Sequence, residues 1–362
     1  MRKIKKLSIF IILALLWSCS APQTLSKADF NKAAATVSSG KLFYHLPTTV
    51  ININVTAKKV TERRGPYYRY SERYLNLSDI ITEDKEYWEI TGADVYTTGI
   101  PDSNRYYSIS AEGTPAGAAI SLTPDGTLLG FNISSTNIMP GQIVTPDINK
   151  QDHASDKISF DDIPFTEEQL IKTSGAATAE EVATEIYNIR DTRRRLLEGD
   201  SKNLPPDEGS FEKVLEGLDR TEKQYLSLFK GRKQVEAQTR TFTFVPEANT
   251  PANQVLFRFS AQKGFTAIDD MTGTPVYIEV HSEETSENNQ IQITPKVRTG
   301  MIYCKPQKAT VKVIDRTKLL TQEDILIGQY GTLHTLPVSL LDNPTTKIEM
   351  DPATGAILNI RY

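Results

Sequence analysis

The sequence predicts a mainly β protein with an α insert: two antiparallel, sandwich-like β domains flanking an α-helical hairpin. Three observations point there. Apolar and polar side chains alternate at period two in both halves of the chain, as where Asn52 and Asn54 separate Ile51, Ile53 and Val55, the pattern of a strand with one buried face. Turn chemistry punctuates those stretches: Pro124-Asp125-Gly126 and Asp351-Pro352-Ala353-Thr354-Gly355 put Pro where φ is fixed and Gly where φ is positive. Between them the apolar period lengthens to that of a helix, with Val182, Ile186, Ile189 and Leu196 in one run and Phe211, Val214, Leu215, Leu218, Tyr225 and Phe229 in the next.

Residues 1–18 read as a secretory signal. Arg2, Lys3, Lys5 and Lys6 form a basic head, an apolar core runs from Leu7 to Leu16, and Trp17-Ser18-Cys19 follows. That core is shorter than the roughly 20 apolar residues a membrane-spanning helix needs. Leu16-x-Ser18-Cys19 resembles the bacterial lipobox, which implies acylation of the Cys19 thiol and cleavage just before it. Each buried methylene contributes about 0.8 kcal/mol, so two or more acyl chains make a stable membrane anchor. Residues 19–39 suit a flexible tether, beginning Ser20-Ala21-Pro22-Gln23-Thr24 after the cysteine. In lipoproteins of the Bacteroidota, which the sequence resembles, acidic residues at this place accompany export to the outer surface. Their absence here implies an outer-membrane anchor facing the periplasm.

The N-terminal β domain spans 40–145, with strands at 50–55, 87–90 and 106–110 and a hairpin over 120–129. A polar, irregular linker occupies 146–177. The helical hairpin spans 178–235. Thr178-x-x-Glu181 supplies a capping box for its first helix, Glu198-Gly199 stops that helix, and a loop of about ten residues with Pro205-Pro206 turns the chain back. The charged faces, with Arg193, Arg194 and Arg195 on one helix and Glu212, Asp219 and Glu222 on the other, read as solvated surface. The C-terminal β domain spans 239–362, with strands at 241–245, 255–259, 276–280, 291–293, 309–313 and 347–350.

An internal echo links the two β regions. Tyr44-His45-Leu46-Pro47 leads into 50–55 as Tyr303-Cys304-Lys305-Pro306 leads into 309–313. Ile120-Ser121-Leu122-Thr123-Pro124-x-Gly126 is then matched by Ile348-Glu349-Met350-Asp351-Pro352-x-x-Gly355. The same order in both halves suggests a duplicated unit, although the paired elements stand about 80 residues apart in one half and about 50 in the other. The lipobox, the Tyr44-x-x-Pro47 strand, the Arg-Tyr-rich segment, the central helices and Gln329-Tyr330-Gly331-x-x-x-x-Leu336-Pro337 together resemble a lipoprotein family of the Bacteroidota, domain-of-unknown-function family 4831. The resemblance covers nearly the whole chain after the signal. It implies an envelope lipoprotein and brings no activity with it.

Charge narrows the function classes. Without the signal, the 41 basic residues lose four while the 45 acidic residues remain, a net charge of −8. An acidic body argues against nucleic acid as a partner and against a polybasic grip on anionic lipid. With Cys19 acylated, Cys304 is the one thiol left, so no intrachain disulfide forms. Its place at a strand start, with no His or Asn partner in any local signature, marks it as a buried, inert thiol.

No catalytic signature is present: no Gly-x-Ser-x-Gly, His-Glu-x-x-His, phosphate-binding Gly-x-x-x-x-Gly-Lys or dinucleotide fingerprint. Ser227-Leu228-Phe229-Lys230 matches Ser-x-x-Lys formally but lies on an amphipathic helix without companion motifs. The histidines His45, His153, His281 and His334 are scattered. His153 beside Asp152 and Asp156, and His281 beside Glu283 and Glu284, read as acidic loops, since a tight zinc site wants more nitrogen or thiolate ligands at set spacing. Asp125 and Asp351 read as turn caps. No metal or cofactor is expected.

The one unusual local composition is Tyr67, Tyr68, Arg69, Tyr70, Arg73 and Tyr74, within a region holding nine of the fifteen tyrosines. Tyr and Arg are the residues of binding hot spots, so these six are the candidate binding residues. On a strand, Tyr68, Tyr70 and Tyr74 would share one face and Tyr67, Arg69 and Arg73 the other. The expected function is that of a non-enzymatic envelope lipoprotein binding another protein or a glycan. A glycan-processing hydrolase with carboxylates paired in space, and a structural subunit docking through the helical hairpin, are the alternatives.

Overall fold

The computed structural model describes residues 41–110, 120–123, 125–133, 158–199, 207–247, 253–282, 300–341, 343 and 345–362. The signal, Cys19, the tether, most of the linker, His153, Glu283, Glu284 and the strand expected at 291–293 lie outside the described residues. β1 (Lys41–Arg63) and β2 (Lys85–Ser110) form a long hairpin, with a 3-10 turn at Tyr68–Tyr70 and a short helix α1 (Ser71–Leu75) in its connection. β3 (Ile120–Leu122) and β4 (Leu128–Phe131) form a small hairpin. Then come α2 (Glu167–Leu170), α3 (Gly175–Glu198) and α4 (Glu208–Lys230), followed by β5 (Arg232–Phe244), β6 (Asn253–Ser260), β7 (Gly264–Thr266) and β8 (Thr274–Ser282). The chain ends with β9 (Gly300–Asp315), β10 (Lys318–Pro337), α5 (Val338–Leu341), β11 (Lys347–Met350) and β12 (Ile357–Arg361).

The protein is mainly β with an α insert, and its ladders within the sheets are antiparallel. Among the described residues three sheets form, in the orders β2-β1-β5, β10-β9-β8-β6-β7 and β12-β11-β4-β3. The first two pack face to face. Ile51, Ile53, Val55 and Ala57 of β1 meet Phe257, Val276, Ile278, Val311 and Val313 in one core. The period-two alternation read from the sequence is therefore the buried face of β1. Burying each such side chain contributes about 1.5–3 kcal/mol, the main term holding the sheets together. The two β stretches of the sequence interleave in space. β5 pairs with β1, and β4 pairs with β11.

Two strands run further than the sequence indicates. β1 and β2 are continuous over 23 and 26 residues, where the sequence shows only their most regular parts. Pro47 lies opposite Pro101 beside a register shift, and a second shift follows Thr56 opposite Gly92. Residues that read as strand breakers are absorbed as bulges, where an extra unpaired residue is tolerated.

The internal echo has a structural counterpart. A long hairpin, β1–β2 or β9–β10, is followed in each half by a short one, β3–β4 or β11–β12. The docking of the two hairpins repeats at matching residues. The His45 amide donates to the Gly126 carbonyl at 3.2 Å, and the Cys304 amide donates to the Gly355 carbonyl at 2.9 Å.

α3 and α4 pack antiparallel over a third core that includes Val182, Ile186, Tyr225, Leu228 and Phe229. Gly199 ends α3 with φ 74°, as its sequence position indicates. The start of α3 differs from expectation. Ser174 is its cap, accepting from the Ala177 amide, and Thr178 lies inside the helix with its hydroxyl donated to the Ser174 carbonyl. The helix begins a turn earlier because Gly175-Ala176-Ala177 offers no obstacle and Ser174 caps as well as Thr. Glu181 is then free to pair with Lys172 at 3.0 Å. The true capping box is Thr166 with Gln169, on α2. The charged face also needs correction. Glu222 is buried in the seam between the helices, where Arg190 and Arg193 hold it at 2.7 and 2.6 Å, and Arg193 also reaches Asp219.

A cleft at one end of the sandwich as the candidate functional site

The tyrosine-arginine segment is helical. Tyr68–Tyr70 is a 3-10 turn and 71–75 is α1, so the expected division between two strand faces does not occur. Neighbours in the helical hairpin decide this conformation. The Tyr67 amide donates to the Leu228 carbonyl at 2.9 Å, and the Ser71 hydroxyl bonds the carbonyls of Tyr68 and Phe229. Tyr67 packs on Phe229 with ring centres 5.7 Å apart, Tyr70 stacks on Tyr74, and all three tyrosines border the hairpin core. Burial raises the Tyr67 phenol above its ordinary pKa. The segment thus straps the hairpin to the β1–β2 connection.

Tyr68, Arg69 and Arg73 lie on its outer side. The Arg69 guanidinium donates to the Tyr68 hydroxyl at 3.0 Å and, with Arg64, flanks its ring. The Arg69 hydrogen bond draws the Tyr68 pKa below that of an ordinary phenol. Arg73 lies over Tyr74.

Other residues singled out by sequence have structural partners. Ser227 donates to the Gln224 carbonyl at 2.6 Å, and Leu228 and Phe229 behind it are buried. His45 lies against Tyr106 with the rings tilted and contacts the Asp102 carbonyl, while His334 bonds Thr332. His281 meets Glu279 at 3.4 Å. Asp351 caps its turn through the Ala353 amide and the Thr354 hydroxyl. Cys304 is buried beside the Gly328 carbonyl, and burial pushes its thiol up to about 11. Among the described residues no group of three His, Cys, Asp or Glu side chains gathers to hold a metal.

What the fold does assemble is a cleft of about 460 Å³ between the two packed sheets. β1 contributes Lys58, and β2 contributes Trp88, Glu89, Ile90 and Thr91. Phe259 and Thr274 come from β6 and β8, and Asp315, Arg316 and Lys318 from the β9–β10 turn. Its floor is apolar, since Ile90 and Phe259 are both buried.

Trp88 is fixed in place. Its amide donates to the Ala261 carbonyl at 2.7 Å. Gly264, at φ 77°, lies flat against its indole, where a Cβ would come within 2.9 Å of the ring. Glycine is required there twice over, for the left-handed backbone and for the close approach.

The rim is charged in an uneven way. Lys58 and Glu89 form an ion pair at 2.5 Å. Asp315 carries one carboxylate oxygen, Oδ1, shielded from solvent and without a hydrogen-bond donor. An unsatisfied buried acceptor is costly and calls for a specific explanation. Next to it, Arg316 sits at φ 57°, a left-handed conformation that costs a residue with a Cβ about 1–2 kcal/mol. Such strain gathers at functional sites.

Sequence reasoning missed this site because its residues come from six strands between positions 58 and 318. One signal was available. Trp88 is the only tryptophan outside the signal segment.

Fold and cleft together define an antiparallel, sandwich-like β protein with a helical insert and a cleft of mixed aromatic and charged lining. Within that class, the chain belongs to the family described as Domain of unknown function (DUF4831), whose model matches residues 40–358. No curated protein and no solved structure matches it.

Proposed function

We propose that this protein is a cell-envelope lipoprotein, anchored through acylated Cys19 in the outer membrane and facing the periplasm, whose sandwich binds a glycan without transforming it. The observation that carries the reading is the cleft: a fixed indole, an apolar floor, and a rim of hydroxyl and charged groups that includes the Asp315 carboxylate. Sugar rings present C–H faces to aromatic rings and O–H donors to carboxylates, and a cleft of this size is typical of small-ligand sites. A hydrolase with two working carboxylates fits less well, because Glu89 is tied to Lys58, which leaves Asp315 as the one cleft carboxylate without an ion pair among the described residues. The docking alternative fits less well too, since the α3 stripe and the C-terminal half of the α4 stripe, Leu218 to Phe229, pack in the hairpin core, leaving Val214 as the exposed member.

The test uses the tryptophan itself. Once the signal is removed, Trp88 is the sole fluorophore of its kind. Titration with envelope saccharide fragments is expected to shift or quench its emission saturably. No response to any saccharide, together with a co-purifying protein lost on Tyr68→Ala and Arg69→Ala, would move the function to the tyrosine-arginine surface. Anchoring is tested separately: Cys19→Ala should release the protein from membranes or leave it as unprocessed precursor, and a variant that fractionates like wild type refutes the lipoprotein reading.

A further inference from the structure

We infer that the cleft selects an acidic saccharide, one bearing a carboxylate on its ring, with Arg316 and Lys318 taking the carboxylate and Asp315 a neighbouring hydroxyl. The inference rests on the reading that the cleft binds a glycan and adds the charge of that glycan. Five charged side chains line the cleft. Lys58 and Glu89 neutralise each other. The remainder is one anion, Asp315, and two cations, Arg316 and Lys318. Neither cation forms an ion pair among the described residues, and both are exposed at the rim.

Each remaining group dictates its complement. An ionised carboxylate only accepts hydrogen bonds, so Asp315 needs an O–H or N–H from the ligand. Its other oxygen is not shielded, and that is the one an incoming group reaches. Guanidinium and ammonium groups only donate, so Arg316 and Lys318 need acceptors. Two adjacent cations with no anion of their own favour a charged acceptor. The planar guanidinium fork can donate to a carboxylate through two parallel hydrogen bonds.

A neutral sugar would satisfy Asp315 and Trp88 but leave both cations idle. The backbone gives an independent indication. Arg316 occupies a left-handed position, φ 57°, in the connection between β9 and β10. The two-residue turn between Asp315 and Lys318 needs that conformation, but glycine or asparagine fits it with less strain, so the turn itself does not call for arginine.

The experiment is a calorimetric titration of the full chain with oligouronates of glucuronic, galacturonic and mannuronic acid. Their methyl esters, which keep the ring and lose the charge, and sulfated neutral oligosaccharides run alongside. At least one acid is expected to bind about tenfold or more tighter than its own ester, as a charge-assisted hydrogen bond implies. Raising the salt should narrow that gap. Arg316→Gly should bring the acid down to the affinity of the ester while the melting temperature holds or rises, and Lys318→Ala should narrow the gap in part.

Equal affinity for acid and ester overturns the inference and leaves the glycan reading standing. Tighter binding of the sulfated sugars overturns the carboxylate assignment. An acid preference that survives both substitutions shows the charge is read elsewhere and overturns it as well. Failure of every saccharide to bind, charged or neutral, removes the glycan reading and this inference with it.

Discussion

Replacing Thr49 by Val tests how the three sheets are joined. Thr49 is fully buried. Its hydroxyl accepts from the Gly328 amide at 2.9 Å and donates to the Ala353 carbonyl at 2.8 Å. Its own amide and carbonyl meet the Gln329 side chain, which also reaches Pro246. One threonine on β1 thereby fastens β10 and the turn of the β11–β12 hairpin. Valine keeps the shape and removes the hydroxyl. Gly328 lies where the β9–β10 ladder lapses between Ile327 and Thr332, so no strand partner takes over its amide. Each unsatisfied buried group costs about 1–3 kcal/mol, and the added methyl returns under about 1 kcal/mol. With both the Gly328 amide and the Ala353 carbonyl left unsatisfied, the net expected loss is about 1–5 kcal/mol. It is read as a lower urea midpoint with unchanged slope, followed by tryptophan emission and far-UV circular dichroism together. Thr49→Ser keeps both bonds and should cost only about 1 kcal/mol for the lost methyl. If Thr49→Val melts within about 0.5 kcal/mol of wild type, the hydroxyl does not hold this junction and the reasoning fails.

Gly264→Ala should strain the turn and press on Trp88, lowering stability by about 1–3 kcal/mol and shifting the tryptophan emission. Unchanged emission would show that the indole is not seated on Gly264. Burial raises the Glu222 carboxyl but the Arg190 and Arg193 guanidinium groups outweigh it, leaving its pKa below the ordinary value. A depressed folded pKa stabilises above the unfolded value of about 4.3 and loses that contribution as pH falls through the folded one. Glu222→Gln should therefore be less stable than wild type near neutrality by about 1 kcal/mol, discounted for the exposure of the arginines, and the two should converge in acid. Parallel stability curves down to acid pH would refute the pairing. With its thiol at about 11, Cys304 is ionised in only roughly one molecule in a thousand at pH 8. It should react with a thiol reagent only after denaturation, and rapid reaction in the native state would show that it is accessible.

The sequence by itself determined those features that depend on a few neighbouring residues. The alternation of Ile51, Ile53 and Val55 marked the buried face of β1, the stripe from Val182 to Leu196 marked α3, and Gly199 marked its end. The turns around Gly126 and Gly355 and the burial of Cys304 were legible for the same reason, since side-chain period and backbone freedom are local properties. The family was legible too, from motifs spread along the chain. The tertiary structure decided what those elements touch. Period two says which side chains of a strand share a face but not which strand lies opposite, so nothing local could pair β1 with β5 or β4 with β11. The tyrosine-rich segment composes well as a strand and folds as helical turns, because the carbonyls of Leu228 and Phe229, some 160 residues away, hold its backbone. The cleft is the extreme case. Lys58, Trp88, Asp315 and Arg316 carry no common spacing, and only the packing of two sheets gathers them around one space.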